Sequence, residues 1–336
     1  LEMGMPVESD QVYWVPPDGF ILHRAFIDGG YLRRGFFIDK YLCSRHPTLN
    51  VARSVKGANP LSIDRYNGDI TMGVGSTLIG TGRMGDAIDL TNERGSVYGC
   101  MTAFQWSALA MLSLAHGQAA TSDKSCAWYD PNHVTNYPKG CNNGSLGDVD
   151  DSSVKYTANS KMSNAGQTGS GTPFAKTTHN GQACGVADLN GVLYQVVTGV
   201  FMGDSPNTLL VALEDNYARD FTLSADDILT EETSRSYIDE EGLWAETTTS
   251  CFPSDTYGVD KALCGVLPVA GTVNSSGSHL FGKDSVTPFA GAEYIMLVGG
   301  NSSYDSDGGI WARNCLRALS SSSDAHVGFR AGAYVK

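Results

Sequence analysis

The sequence lacks the features that mark several large classes of protein. It has no apolar run of about 18 residues, the length that a membrane-spanning helix needs, so we expect no membrane insertion. The first ten residues have neither a basic segment nor an apolar one, so no secretion signal is expected there. No two cysteines form a CxxC pair, and the common pattern of a structural zinc site is therefore missing.

Basic residues are also scarce. Lys and Arg number 23 against 36 Asp and Glu, which gives a net charge of −13. Because nucleic-acid binding needs a basic surface to neutralise phosphates, we expect no nucleic acid as a partner. Eleven acidic residues fall between Glu214 and Glu246. This stretch is either a solvated face or a docking surface for cations and basic partners.

Glycine, in contrast, is abundant. The 336 residues include 39 glycines, together with many Ser, Thr and Asn, which predicts a loop-rich chain of short elements. The length allows one elaborated domain or two ordinary ones. We interpret residues 1–336 as a single α+β domain, in which the polar, turn-rich stretch of about 118–183 is an insertion packed on the core.

Two cysteines border a turn-rich loop inside this insertion. Cys126 and Cys141 either form a disulfide, which would stabilise the fold by roughly 3 kcal/mol, or remain free thiols. His133 lies between them and adds a metal-site alternative, but two cysteines and one histidine do not define such a site.

A glycine-rich pattern precedes the middle of the chain. Gly80, Gly82 and Gly85 match GxGxxG, the fingerprint of dinucleotide-binding turns. Residues 44–98 read as irregular, and residues 86–92 give no sustained amphipathic helix after the glycines. We therefore assign these glycines to turns rather than to a cofactor site.

The clearest predicted helix is 102–116, TAFQWSALAMLSLAH. Thr102 and Gln105 have the spacing of a capping box, in which each side chain bonds the other residue's backbone N–H. Gly117 is a suitable residue to end the helix. The helix is apolar almost all round, so we expect it to be buried.

The last part of the chain has an unusual composition. A predicted buried strand, 292–298, leads into Gly299–Arg330, which has no helical or strand period and few apolar anchors. The segment ends in VGFRAGAYV, which predicts one buried strand. A loop-rich surface is thus connected to a core strand, and loops held by a rigid scaffold commonly carry binding function.

Four segments together resemble the variable proteins of diversity-generating retroelements. They are the strand GFFIDKY at 35–41, which we expect to be buried on both sides, the helix start MTAFQW at 101–106, the turn GVADLNG at 185–191, and the 299–330 segment with its GG start and GFR end. In that family a reverse transcriptase rewrites selected codons. The resemblance implies a C-type-lectin-like fold, shared with the formylglycine-generating enzymes that activate sulfatases, with short strands and about two main helices.

The resemblance also implies a C-terminal variable, ligand-binding region at about 299–330. Tyr304 and Trp311 would offer rigid contact area, although Trp311 could equally pack inward. Phe329 and Arg330 would serve the fold. The predicted ligand-binding residues are Ser303, Tyr304, Asp305, Asp307, Trp311, Arg313, Arg317, Leu319, Ser322, Asp324 and His326.

The implied function is that of a ligand-binding display protein, not an enzyme. Its partner would be a protein or glycan on the surface of a host or partner cell, its place a virion surface or the extracellular space, and its oligomeric state is open. One alternative is an oxidoreductase of the sulfatase-modifying superfamily, which would need two nearby cysteines where this chain has Cys315 alone. The other alternative is a structural virion protein.

A cofactor is not expected. The sulfatase-activating relatives bind a structural calcium through Asn, Gly and a later Glu, at positions that correspond to Asn190, Gly191 and Gln195. Gln195 replaces the charged ligand, so we expect no cofactor, with a calcium near Asn190 as the open alternative.

Overall fold

The computed structural model describes part of the chain, and every structural statement below refers to that part. The described residues are 23–28, 31–46, 48–49, 51–64, 83–119, 144–147, 152–162, 164–189, 191–202, 209–212, 234–236, 250–251, 273–274, 286–287, 294–303, 308–310, 312–318, 322 and 324–335.

The described residues form an α+β arrangement of short strands and two α-helices, as expected for a loop-rich chain. The helices are α1, Asp86–Asn92, and α2, Ala103–Ala119, with short 3-10 helices at Arg24–Phe26 and Phe174–Thr177. The strands are β1 Ile27–Asp28, β2 Tyr31–Leu32, β3 Phe36–Ile38, β4 Cys43–Arg45, β5 Ala52–Ser54, β6 Tyr98–Cys100, β7 Tyr194–Met202, β8 Leu209–Ala212, β9 Ser234–Ser236, β10 Ser250–Cys251, β11 Val273–Asn274, β12 Val286–Thr287, β13 Tyr294–Val298, β14 Arg313–Ala318, β15 Val327–Phe329 and β16 Ala331–Tyr334.

A seven-stranded sheet holds the core, and β7 lies at its centre. Its strands follow the order β12-β14-β13-β7-β8-β9, and β15 also pairs with β7. Val196 of β7 is opposite Leu297 of antiparallel β13 and opposite Phe329 of parallel β15. These three side chains are buried in one cluster with Ile88 of α1.

Strand β14 corrects the expectation that 299–330 has no regular element. It pairs antiparallel with β13 and, at Arg313 and Asn314, parallel with β12, so the start of the strand has a neighbour on each side. Its sequence, RNCLRA, conceals the strand because the sheet buries Arg313 and Asn314 beside Cys315. Polar residues at buried positions remove the hydrophobic alternation by which a strand is recognised.

The terminal VGFRAGAYV is two strands rather than the single one expected. The chain changes sheets at Arg330: β15 joins the main sheet, and β16 lies between β3 and β6 in a three-stranded antiparallel sheet. In that small sheet β3 is not buried on both sides, because Phe37 is 68% exposed. The continuous aromatic run of GFFIDKY was therefore a misleading sign of two-sided burial.

Helix α2 confirms the predicted capping box and burial. The Gln105 N–H donates to Thr102 Oγ1 at 3.1 Å, and the Thr102 N–H donates to Gln105 Oε1 at 3.0 Å. Residues 103–110 are all buried. The predicted stop at Gly117 is wrong, since the helix continues to Ala119. An internal glycine costs only about 1 kcal/mol relative to alanine, which does not by itself end a helix.

Helix α1 corrects the expectation that residues 44–98 are irregular. It follows the glycine-rich pattern directly and buries Ala87, Ile88 and Leu90. The Asp86 carboxylate accepts the Arg83 N–H at 2.9 Å, which supports the start of the helix. The helix has seven residues and makes about two turns, so it is too short for a helical period to be recognised in the sequence.

The described end of the polar insertion packs on the core. Lys155 and Thr172 exchange backbone hydrogen bonds of 3.0 and 2.8 Å, which makes an antiparallel pair. Tyr156 and Met162 pack against a buried cluster of Leu42, Ala165, Val192 and Leu193. Several predicted features lie outside the described residues: the Cys126–Cys141 pair, His133, Gly80 and Gly82, and the acidic stretch apart from β9.

None of the helices in the described ranges combines the length and apolarity needed to cross a bilayer.

Candidate functional site

The N-terminal end of the 299–330 segment is a tight turn that packs against α2. Gly299 and Gly300 have φ of +92° and +71°, values that L side chains rarely adopt. The Gly299 carbonyl accepts the Gly191 N–H at 3.0 Å, which joins this turn to the DLNG turn. Farther along, the indole N–H of Trp106 donates to the Ile310 carbonyl at 2.7 Å.

The other end is held by Arg330, whose side chain is fully buried. Its Nε donates to Gln195 Oε1 at 2.9 Å, and its Nη2 donates to the carbonyls of Ala187 and Asp188 at 2.7 and 3.1 Å. Its Nη1 donates to the Asp39 carbonyl. Arg330 therefore connects the strand that carries Gln195 with two loops, in agreement with its predicted structural role.

Gln195 stands where the sulfatase-activating relatives have a charged calcium ligand, and its amide is occupied at both ends. Asn190, near which a calcium was the open alternative, lies outside the described residues. The oxygen accepts from Arg330, and Nε2 donates to the Asp188 carbonyl at 2.7 Å. The buried Asp188 carboxylate accepts the Gly169 N–H at 2.8 Å. Burial raises the pKa of Asp188 to about 6, although Arg330 acts in the opposite direction.

The predicted ligand-binding residues fall into four groups, of which buried Arg313 forms one by itself. Ser303 is exposed, and Ser322, Asp324 and His326 are partly exposed. Arg317 lies on β14, where its backbone is paired with Ile295. The others, apart from Arg313, lie outside the described residues: Tyr304, Asp305, Asp307, Trp311 and Leu319.

Arg313 is not at the surface. Its side chain is fully buried, and Nη1 donates to the carbonyls of Ile310 and Ala312 at 2.9 and 3.0 Å. Because Trp106 donates to the same Ile310 carbonyl, Arg313 is part of the support for this turn. It does not lie with the accessible residues of the segment.

Asp324 and His326 form a pair next to β15. The His326 N–H donates to Asp324 Oδ1 at 2.8 Å, and the imidazole Nδ1 lies 3.4 Å from the same oxygen. The hydrogen bond to Asp324 raises the pKa of His326, burial opposes that rise, and the nearby Asp64 adds to it. The Asp324 N–H donates to the Ile63 carbonyl at 2.6 Å, so residues 61–64 support this pair.

A small cleft of about 190 Å³ opens beside the same pair, at Ala325. Its apolar lining consists of Pro60, Met162, Leu193 and Ala325. Ser62, Asn159 and Lys161 supply its polar groups. Sequence reasoning missed this cleft because four separate segments contribute its walls and none carries a recognisable motif.

Thiol chemistry has little support from the described cysteines that are buried, which are Cys43, Cys100 and Cys315; Cys184 is exposed and lies outside the C-terminal segment. Cys315 is fully buried, and burial raises the pKa of its thiol to about 12, so the reactive thiolate is not formed near neutral pH. Cys43 and Cys100 are also buried, with the thiol pKa raised. Within the described ranges, no three His, Cys, Asp or Glu side chains are grouped so that they could hold a metal ion.

Comparison with known proteins gives a loose structural likeness. No family model matches the sequence, and no curated protein matches it. Among solved structures, the chain is similar to a "Major Tropism Determinant P3c Variant" with 14% sequence identity and a TM-score of 0.35. The alignment covers 90% of this chain and 52% of that one, so this chain spans about half the length of the matched structure.

Proposed function

We propose that the chain is a ligand-binding display protein of the diversity-generating retroelement type, with a C-type-lectin-like fold. Residues 299–330 would form its variable region and would recognise a protein or glycan on the surface of another cell. Its place would be a virion surface or the extracellular space. One observation carries the proposal: both ends of the segment are fixed by specific buried contacts, while Ser303, Ser322, Asp324 and His326 between them remain accessible.

The fixed ends explain how such a segment could vary without loss of the fold. A Cβ atom on Gly299 would approach the Leu189 carbonyl to 2.7 Å. One on Gly328 would approach Leu193 Cδ1 and the Leu61 carbonyl, both to 3.0 Å. We expect substitutions at Gly299, Gly328 and buried Arg330 to destabilise the fold. Substitutions at exposed polar positions generally change its stability little.

The structure supports a smaller set of ligand-contacting residues than the sequence alone predicts. We keep Ser303, Ser322, Asp324 and His326 as contact residues on the basis of their exposure. Tyr304, Asp305, Asp307, Trp311, Arg317 and Leu319 remain in the proposed set on sequence grounds. Arg313 moves to the supporting framework, because its guanidinium is buried and donates to two carbonyls.

We further propose that the chain has no enzymatic activity. The oxidoreductase alternative requires a reactive thiol near the C-terminal motif, and the buried, protonated Cys315 does not favour one. The structural virion protein, with no specific ligand, is distinguished from the display protein by the experiment that follows.

The test is deep sequencing of the codons for residues 299–336 in a natural population. We expect substitutions to concentrate at accessible positions such as Ser303, Ser322, Asp324 and His326. The codons for Gly299, Gly328 and Arg330 should stay constant, as should that for buried Arg313. A variable Arg313 codon would contradict the smaller set of ligand-contacting residues, and variation spread evenly over the segment would contradict the display function itself.

A further inference from the structure

The histidines whose side chains are described differ in the group that faces the ring nitrogen Nδ1. In His23, His46 and His179 this nitrogen accepts a backbone N–H, at 3.1, 3.0 and 2.9 Å respectively. In His326 it lies 3.4 Å from Asp324 Oδ1, and an ionised carboxylate can only accept. A ring nitrogen that meets a donor carries no proton, whereas one that meets a carboxylate carries it. His326 therefore has the opposite tautomer to the other three when it is neutral.

The tautomer decides what the other ring nitrogen, Nε2, offers to its surroundings. In His46 the proton of the neutral ring is on Nε2, so this nitrogen donates whether the ring is neutral or charged. In His326 the proton of the neutral ring is on Nδ1, so Nε2 has a free lone pair and accepts. Protonation then turns Nε2 of His326 into a charged donor. Among these four rings, only that of His326 reverses the hydrogen-bonding role of Nε2.

The Nε2 atom of His326 is open to a ligand, while the rest of the residue is fixed. The side chain is 39% exposed. Nε2 has no hydrogen-bond partner in the described ranges, and it is not among the buried polar atoms that lack one, so it contacts solvent. The backbone N–H donates to Asp324 Oδ1 at 2.8 Å, and the carbonyl accepts the Tyr194 N–H at 2.9 Å. These bonds hold the ring next to β15.

The groups around the ring set the pH at which it takes up a proton. The hydrogen bond to Asp324 raises the pKa of His326 above its ordinary value of about 6.5, burial opposes that rise, and buried Asp64 adds to it. The polar insertion contributes Lys161, which lines the neighbouring cleft, and β7 contributes uncharged Tyr194. Half of the His326 rings are therefore protonated at a pH above about 6.5, in the neutral range.

We propose that His326 is a pH-dependent contact of the 299–330 segment. When the ring is neutral, Nε2 accepts and favours a ligand group that donates, such as a hydroxyl or an amide N–H. When the ring is protonated, Nε2 donates and favours a ligand group that accepts, most strongly a charged one. The role as a contact rests on the proposed function, whereas the reversal at Nε2 rests on the geometry of Asp324 and His326.

NMR of the ¹⁵N-labelled full chain tests the reversal directly. Long-range ¹H–¹⁵N spectra across a pH series show which ring nitrogens carry a proton, and His326→Gln and His46→Gln assign the signals. At a pH above both pKa values, we expect the proton on Nδ1 in His326 and on Nε2 in His46. At low pH both nitrogens of both rings should be protonated. A neutral His326 with its proton on Nε2 would overturn the proposal.

Two substitutions of Asp324 separate its charge from its acceptor. Asp324→Asn keeps an oxygen that can accept from Nδ1, so the tautomer should stay while the pKa of His326 falls. Asp324→Ala removes the acceptor, so the neutral ring should lose its preference for a proton on Nδ1. The other backbone resonances report whether each variant is folded. An unchanged pKa in Asp324→Asn, or an unchanged tautomer in folded Asp324→Ala, would contradict the role of Asp324.

Diethyl pyrocarbonate tests whether the lone pair on Nε2 is accessible. The nitrogen attacks a carbonyl carbon of the reagent, keeps the ethoxycarbonyl group and releases ethyl carbonate. His326 should react several times faster than His46, whose lone pair is occupied by two backbone N–H groups, and the reaction should slow as the pH falls through the pKa of His326. Peptide mass spectrometry measures both rates, and equal rates would overturn the contact role.

Neither measurement uses a natural ligand or sequence variation. Their failure would overturn this inference and leave the proposed display function standing. Population sequencing that contradicted the display function would remove the contact role of His326, even with the reversal at Nε2 observed.

Discussion

At the scale of single residues, two glycines with similar backbone conformations have different surroundings. Gly57 and Gly299 have φ of +73° and +92°. A Cβ atom on Gly57 would meet nothing within 4 Å, whereas one on Gly299 would meet the Leu189 carbonyl at 2.7 Å and the Trp106 ring at 3.1 Å. The pair therefore separates the effect of backbone conformation from that of packing.

Alanine substitution at both positions should give unequal losses of stability. Gly57→Ala should lower the free energy of unfolding by about 1–2 kcal/mol, the cost of a positive φ for an alanine. Gly299→Ala should lose a further 1–3 kcal/mol or so, because the carbonyl and the indole must move. Urea denaturation of both variants measures the difference. Equal losses would mean that the close approach at Gly299 does not constrain the turn.

The pair of His326 and Asp324 should make stability depend on pH. Because Asp324 raises the pKa of His326 in the folded state, the stabilisation is fully present below the unfolded value of about 6.5. It is lost as the pH rises through the raised pKa. The melting temperature of the wild-type protein should therefore fall as the pH rises from about 6.5 through the raised pKa of His326. The variants His326→Gln and Asp324→Asn should both lack this fall. Asp64→Asn should keep most of it, since Asp64 contributes less than Asp324.

At the scale of elements, the start of α2 depends on two side chains that bond each other's backbone. Thr102→Ala should lower the free energy of unfolding by about 1 kcal/mol, because one first-turn N–H loses its acceptor. Thr102→Ser keeps the hydroxyl and should lose little. Gln105→Ala alone should also destabilise, and the double variant should lose less than the sum because the two groups form one unit. Strict additivity, measured by denaturation, would argue against a reciprocal cap.

Local chemistry made α2 predictable, while tertiary pairing decided the elements that were missed. The cap residues Thr102 and Gln105 act within four residues of each other, so their spacing was visible in the sequence. Strand β14 is stabilised by β12 and β13 on either side, which no local pattern records. The switch of sheets at Arg330 likewise depends on partners far away, among them Gln195.

In the candidate site, too, local features could be predicted from the sequence, whereas features that depend on tertiary contacts could not. Ser303, Ser322, Asp324 and His326 are accessible, as expected for residues of a polar segment. The burial of Arg313 was not predictable, because arginine is rarely fully buried and its acceptors are carbonyls of a turn. The cleft could not be found from the sequence either, since Pro60, Asn159 and Leu193 come together only in the fold.

At the scale of the whole molecule, Arg330 links parts of the chain that are remote in sequence. Asp39, whose carbonyl it contacts, lies 291 residues away, and Gln195 lies 135 residues away. Arg330→Met should lower the free energy of unfolding by about 3–5 kcal/mol, because several buried acceptors lose their donor at once. Arg330→Lys keeps the charge but not the planar set of donors, and it should also be clearly destabilised.

The stability of both Arg330 variants is measured by denaturation and by the yield of folded protein. Lys155→Met, at an exposed position, serves as the control and should change stability by less than about 0.5 kcal/mol. Near wild-type stability of Arg330→Met would show that the buried network is not essential.

The sheet change at Arg330 has a consequence for how faulty copies of this protein are removed. Strands β15 and β16 follow the 299–330 contact residues, and they supply a partner of β7 and the middle strand of the small sheet. A stop codon or frameshift introduced between Ser303 and His326 would delete both strands, with Arg330 between them. Such a product would lack the closing pieces of two sheets, so we expect it to be degraded rather than to accumulate as folded protein. Under the proposed function, folding itself would thus act as a reading-frame check on the rewriting of this segment.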